Sequence, residues 1–139
     1  MSPGLFLFVY FAMMKTNYQF PAGDKLKSRK QIALLFKEGK RFAQFPYQAI
    51  YLFESGEPGL SVGVGVSSRN FKKAVDRNRI KRLGREAYRL SSGSLKEKVI
   101  SSSVRLSLFL NYTAKELPDF KSVKEKIEII LRKLEKECP

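Results

Sequence analysis

Leu60-Ser61-Val62-Gly63-Val64-Gly65-Val66-Ser67, followed after a short connection by the helical pattern of Lys73 to Leu90, decides how the chain is built. In the first segment Val62, Val64 and Val66 share one face of a strand, and Ser61, Gly63, Gly65 and Ser67 share the other. The valine face is read as core. The Gly/Ser face has two readings: close approach by a ligand or another backbone, and the packing of a helix. In the second segment, setting Arg77 at zero and advancing about 100° per residue gathers Ile80, Leu83, Ala87 and Leu90 between about 220° and 300°. Arg77, Asn78, Lys81, Arg82, Arg85 and Arg89 fall within about 140° on the opposite side. A half-buried strand leading into a half-buried helix is a unit of layered α+β architecture.

The flanking sequence extends the pattern. Ser28-Arg29-Lys30-Gln31 has the form of a capping box, Ile32, Leu35 and Phe36 follow at helical spacing, and Gly39 is the stop. From Arg41 to Phe53 the residues are aromatic and β-branched, with Pro46 read as a bulge or edge position. Glu54 to Gly59 is the turn that closes a hairpin with the Leu60–Ser67 strand. Beyond the basic helix, Ser91 to Ser94 is a stop and Leu95 to Ile100 one loose turn. Val104, Leu106, Leu108 and Leu110 alternate with Arg105, Ser107 and Phe109 as a third main strand. Pro118 and Asp119 introduce the last helix, with a second capping signature at Ser122 to Glu125. Its apolar stripe is Val123, Ile127, Ile130, Leu131 and Leu134. The expected fold is α+β, a small mixed β-sheet packed with three helices in the order α-β-β-β-α-β-α.

Length and composition bound what such a fold can do. The 139 residues suit one domain, and 27 Lys plus Arg against 13 Asp plus Glu leave a net charge of +14. An excess of that size repels itself unless a polyanion neutralises it, so nucleic acid is the natural partner. There is no histidine, which removes the commonest general base and metal ligand. The single cysteine, Cys138, cannot form an internal disulfide and fits a reducing, cytoplasmic compartment. The apolar stretch Leu5 to Met14 is far shorter than the roughly 20 residues that span a bilayer, and it lacks the flanks of a signal peptide. It reads as a membrane tether, an extra strand, or sequence upstream of a true start at Met13 or Met14, the last being preferred. Residues 1–17 are therefore set apart as an extra segment, and 18–139 as a single RNA-binding domain.

The charge is concentrated. Arg69 to Arg89 holds nine basic residues and two acidic ones, half of the chain's whole excess. A solvated helix usually alternates signs to form ion pairs; this one lacks that alternation, and its repelling cations make sense against phosphates. Arginine dominates, which suits bidentate phosphate contacts. The stretch Val66-Ser67-Ser68-Arg69, then Ala74-Val75-Asp76-Arg77-Asn78-Arg79-Ile80-Lys81-Arg82-Leu83-Gly84-Arg85-Glu86-Ala87-Tyr88-Arg89, resembles the signature of the bacterial ribonuclease P protein family. The likeness extends from Leu26 to about Leu134, and Leu26-Lys27-Ser28 through Gly39 is similar to the family's first helix.

That resemblance implies a ribosomal protein S5 domain 2-like sandwich and a subunit of a ribonucleoprotein endonuclease. The complex removes the 5′ leader from precursor tRNA, and the RNA subunit with its bound Mg2+ carries the chemistry, with no catalytic protein side chain. The resemblance places Arg77, Asn78, Arg79, Lys81, Arg82, Arg85 and Arg89 against the catalytic RNA. It places Ile32, Phe36, Tyr51, Arg69, Lys72 and Lys73 along a cleft for the leader, Ile32 standing where the family often has an aromatic. Asn111 occupies a position that is commonly basic. Expected partners are the catalytic RNA and precursor tRNA, with no membrane and no obligate protein partner. For Phe36 the residues themselves leave core packing and leader contact open. A structured-RNA binder without a processing role shares the same chemistry and is separated only by the motif; a peripheral membrane protein would need residues 5–14 exposed.

Overall fold

The computed structural model describes residues 29–139. The apolar stretch 5–14, the lead-in ahead of the first helix and the Ser28 cap lie outside the described residues. The elements run α1 (Arg29–Glu38), β1 (Lys40–Gln44), β2 (Tyr47–Ser55), β3 (Gly59–Val66), α2 (Ala74–Ser91), α3 (Gly93–Ser101), β4 (Val104–Tyr112) and α4 (Phe120–Glu137). The sheet order is β1-β2-β4-β3, with β3 parallel to β4 and the other pairs antiparallel. This is the expected α+β fold with a mixed sheet, and four helices among the described residues rather than three.

The sheet is the middle layer. One face carries Tyr47, Ala49, Tyr51, Val62, Val64, Val66, Leu106, Leu108 and Leu110, and meets the apolar stripes of α2, α3 and α4 in the larger core. The stripe read for α4 is buried residue for residue. The other face is covered by α1, where Ile32, Leu35 and Phe36 pack on Ile50 and Phe109. Phe36 and Phe109 meet edge to face at 5.3 Å.

Several expectations are corrected by tertiary pairing. The segment from Arg41 to Phe53 is two strands, because Phe45 and Pro46 form the turn of the β1–β2 hairpin, with Gln44 opposite Tyr47. Pro46 has no N–H to give a ladder, and a turn satisfies that without loss. The expected hairpin between β2 and β3 does not form: β4 lies between them and bonds to both. β4 is apolar on both parities, Leu108 feeding one core and Phe109 the other, and such a strand belongs in the sheet interior. The short 56–58 connection passes over its end, where Gly56 takes a φ of +140° open only to glycine.

At Leu95 to Ile100 the loose turn is the helix α3, fixed by the fully buried Leu95 and Val99. The cap of α4 is Asp119, whose carboxylate accepts from the Ser122 N–H at 2.9 Å, so Ser122 is the donor rather than the cap. Gly39 does stop α1, by close approach: a Cβ there would collide with the Leu35 carbonyl oxygen. The Gly/Ser face of β3 is filled by neither expected tenant at Gly65. The Phe109 ring from the neighbouring strand leans over it, and a Cβ on Gly65 would lie 2.5 Å from the Phe109 Cζ.

Candidate nucleic-acid interface

α2 is held on the sheet by a buried arc broader than its leucines foretell. Ile80, Gly84, Ala87 and Tyr88 face inward, Tyr88 with no exposure, whereas Leu90 is 51% exposed. The arc has rotated toward Gly84, which has no side chain and lets the helix settle near Val64 and the Tyr47 hydroxyl. That hydroxyl is buried without a partner among the described residues, and burial with the neighbouring Tyr112 pushes its pKa well above the ordinary tyrosine range.

Rotation changes what the basic residues do. Asn78, Arg79, Arg82 and Arg89 are exposed, and Arg77 and Arg85 half-buried. Lys81, expected on the open face, is 8% exposed. Burial, then the flanking Arg77 and Arg85, lower its pKa from the ordinary lysine value. Arg89 is paired along the helix with Glu86, and its hydrogen bonds hold the Glu86 carboxyl below its usual range. The expected lack of ion pairs therefore fails at Glu86 and Arg89, three residues being a single helical step apart.

Arg77 has an internal task. Its Nη1 donates to the Phe71 carbonyl at 2.9 Å and the Lys72 carbonyl at 2.8 Å, clamping the connection from β3 to α2. The same connection is stitched by the Asn70 and Phe71 N–H groups to the Ser67 carbonyl, and anchored by the buried Phe71 ring. Asn70 Nδ2 donates to the Thr113 carbonyl at 3.0 Å, tying it to the end of β4. Arg69, Lys72 and Lys73 are thus exposed on a braced segment running into the N-terminus of α2.

The residues proposed for a leader cleft are not all brought together. Ile32 and Phe36 are on the sheet-facing side of α1, 5% and 1% exposed, so both are core side chains. Tyr51 is on the opposite face, between the rings of Phe42 and Phe53. Its neighbours Ile50 and the partly buried Leu52 are the β2 residues that join Ile32 and Phe36. A strand changes face at every residue, so a placement one position out lands on the wrong side. On the α1 face the register also aligns Gln48 with Asn111, and Asn111 with Gly65. Asn111 is 5% exposed and its Oδ1 has no partner among the described residues, an unmet acceptor of the kind a ligand donor would satisfy. Two cations missed in the sequence join this face: Arg41, donating to the Phe36 carbonyl at 2.7 Å, and Arg105, donating to the Ser61 Oγ at 2.8 Å. The parity of Arg105 with Phe109 was the available signal.

A family model described as Ribonuclease P matches residues 20–135. The chain belongs to the ribonuclease P protein family. Among its relatives, the ribonuclease P protein component of Porphyromonas gingivalis is 34% identical over 107 residues, covering 76% of this chain and 78% of that one. That of Thermotoga maritima is 31% identical over 119 residues, covering 84% and 96%. The solved ribonuclease P protein of Thermotoga maritima superposes with a TM-score of 0.64 at 25% identity, over 79% of this chain and 96% of that one. The Staphylococcus aureus ribonuclease P protein shares the fold at a TM-score of 0.62 and 16% identity, over 79% and 94%. Membership ties the chain to a tRNA-processing ribonuclease. No described helix is long and apolar enough to cross a membrane.

Proposed function

We propose that this chain is the protein subunit that binds the catalytic RNA of ribonuclease P and the 5′ leader of precursor tRNA, assisting endonucleolytic release of the leader in the cytoplasm. The observation that carries the reading is the outward face of α2. Asn78, Arg79 and Arg82 stand exposed on a helix locked by Ile80, Gly84, Ala87 and Tyr88. A fixed helix needs no folding of its own to present its guanidinium groups to phosphates, and each contact releases counterions. Arg85 and Arg89 extend the array, Arg89 by exchanging Glu86 for a phosphate. Arg77 and Lys81 act from beneath, the first by bracing the connection and the second by supplying charge.

The leader is assigned to the α1 side of the sheet and the connection beside it. Arg69, Lys72 and Lys73 would meet its phosphates, and Asn111 would accept from a base donor. Ile32, Phe36 and Ile50 form the floor beneath them. Among the described residues no three His, Cys, Asp or Glu side chains come together. The Mg2+ of the reaction is assigned to the RNA, and no step of the hydrolysis is routed through a protein side chain.

Reconstitution with the cognate catalytic RNA tests the reading. Cleavage of precursor tRNA at low magnesium should be stimulated by this chain, and precursor should bind more tightly than mature tRNA. RNA binding without stimulation would favour a structured-RNA binder and defeat the proposal.

A further inference from the structure

One large aromatic has no part in the packing. Phe45, at the tip of the β1–β2 hairpin, is 72% exposed and belongs to neither core. It also stands outside the chain of ring contacts through Phe42, Tyr51 and Phe53. The tip that displays it is well anchored. The Pro46 carbonyl accepts from the Thr113 N–H at 2.8 Å and from its hydroxyl at 3.0 Å. Thr113 in turn is the residue whose carbonyl Asn70 grips at 3.0 Å. Two hydrogen bonds and one residue therefore separate the tip from the basic connection, about 10 Å of path. On the other flank, Lys133 Nζ donates to Gln44 Oε1 at 3.0 Å. The hairpin that displays this ring is thus tied through Gln44 to Lys133 and through Thr113 to the connection carrying Arg69, Lys72 and Lys73, at the end of the sheet where Gln48 pairs with Asn111.

We propose that Phe45 is a stacking platform for one unpaired base of the precursor's 5′ leader, with Lys133 and the Arg69–Lys73 connection meeting phosphates on either side. The inference rests on the leader assignment above and adds a contact beyond the α1 face. An aromatic ring flanked by cations is the arrangement by which proteins hold single-stranded nucleic acid, since any base offers a face to stack. Bases inside a helix are already stacked on each other, so a lone ring favours an unpaired strand. Both sides of the turn are tethered, and phenylalanine has few rotamers, so little freedom is lost on binding.

The test uses the reconstituted holoenzyme. Phe45→Ala should weaken binding of precursor tRNA roughly fivefold to a hundredfold, leave mature-tRNA affinity and the melting temperature unchanged, and be rescued by Phe45→Tyr. The loss should vanish once the leader is trimmed too short to reach the hairpin. Phe45→Trp, in a chain with no other tryptophan, should have its emission quenched by precursor and not by mature tRNA. Unchanged precursor affinity of Phe45→Ala overturns the proposal. An equal loss for precursor and mature tRNA also overturns it, by assigning the ring to the catalytic RNA or the tRNA body. A wild-type chain that fails to prefer precursor would instead remove the underlying leader assignment, and this contact with it.

Discussion

Single side chains in the basic helix divide by what they already hold. Arg77 gives two hydrogen bonds to the connection, so its removal would loosen Arg69 to Lys73 as well as subtract a charge. Arg79 and Arg82 are exposed and are the cleaner probes. Arg79→Ala with Arg82→Ala should weaken association with the catalytic RNA and flatten its log–log salt dependence by about 1 per arginine. Filter binding from low to moderate salt would show this, and an unaltered slope would clear both residues of phosphate contact. Lys81 makes a different prediction. Its pKa is depressed by burial and by Arg77 and Arg85, so the unfolded chain binds that proton more tightly. Between the depressed value and the ordinary 10.5, the folded state therefore gains stability as pH rises. Relative to Lys81→Met, wild type should be weakest near neutral pH and recover toward pH 10.5. Urea melts of the pair that keep a constant difference across that range would contradict it.

At the scale of elements, β3 and β4 are fitted to each other through absence of side chains. Gly65 leaves room for the Phe109 ring, itself pinned by Phe36 and without exposure. Gly65→Ala should destabilise the protein by about 1–3 kcal/mol, as overpacked cores do. Phe109→Leu in the same chain should recover part of that loss, and additive losses in denaturant titrations would show that the two positions do not meet. The sequence made Gly65 conspicuous but could not say what fills the space, since its occupant comes from a strand more than forty residues later. Helix stripes were legible for the opposite reason: Val123 to Leu134 repeat at the helical period, and burial follows directly. Leu90 shows where that logic stops, because the edge of an apolar arc is buried only if a neighbour reaches it.

The whole molecule carries +14 on one small body. Screening should relieve that repulsion, so the melting temperature of the free protein is expected to rise between low and moderate sodium chloride. Scanning calorimetry across that range checks it, and a flat or falling trend would mean that paired charges dominate. α2 packs on one face of the sheet and α1 on the other, so the face proposed for the leader is not the one that supports the basic helix.

By itself the sequence determined the charge, its clustering between Arg69 and Arg89, the α+β class, the stripe of the last helix and the family motif. These are local properties, written in composition and in periods of two and 3.6 residues. Only the tertiary structure decided that β4 parts β2 from β3, that Pro46 turns a hairpin and that Ile50 rather than Tyr51 faces α1. It also decided that Lys81 is buried and Arg77 spoken for. Strand neighbours, sheet faces and the exact roll of a helix are set by which distant surfaces exclude water together, and no local pattern encodes its own partner. For the opening strand, Val62, Val64 and Val66 announced the core unaided; Ser61 and Gly65 acquired meaning only when Arg105 and Phe109 arrived beside them.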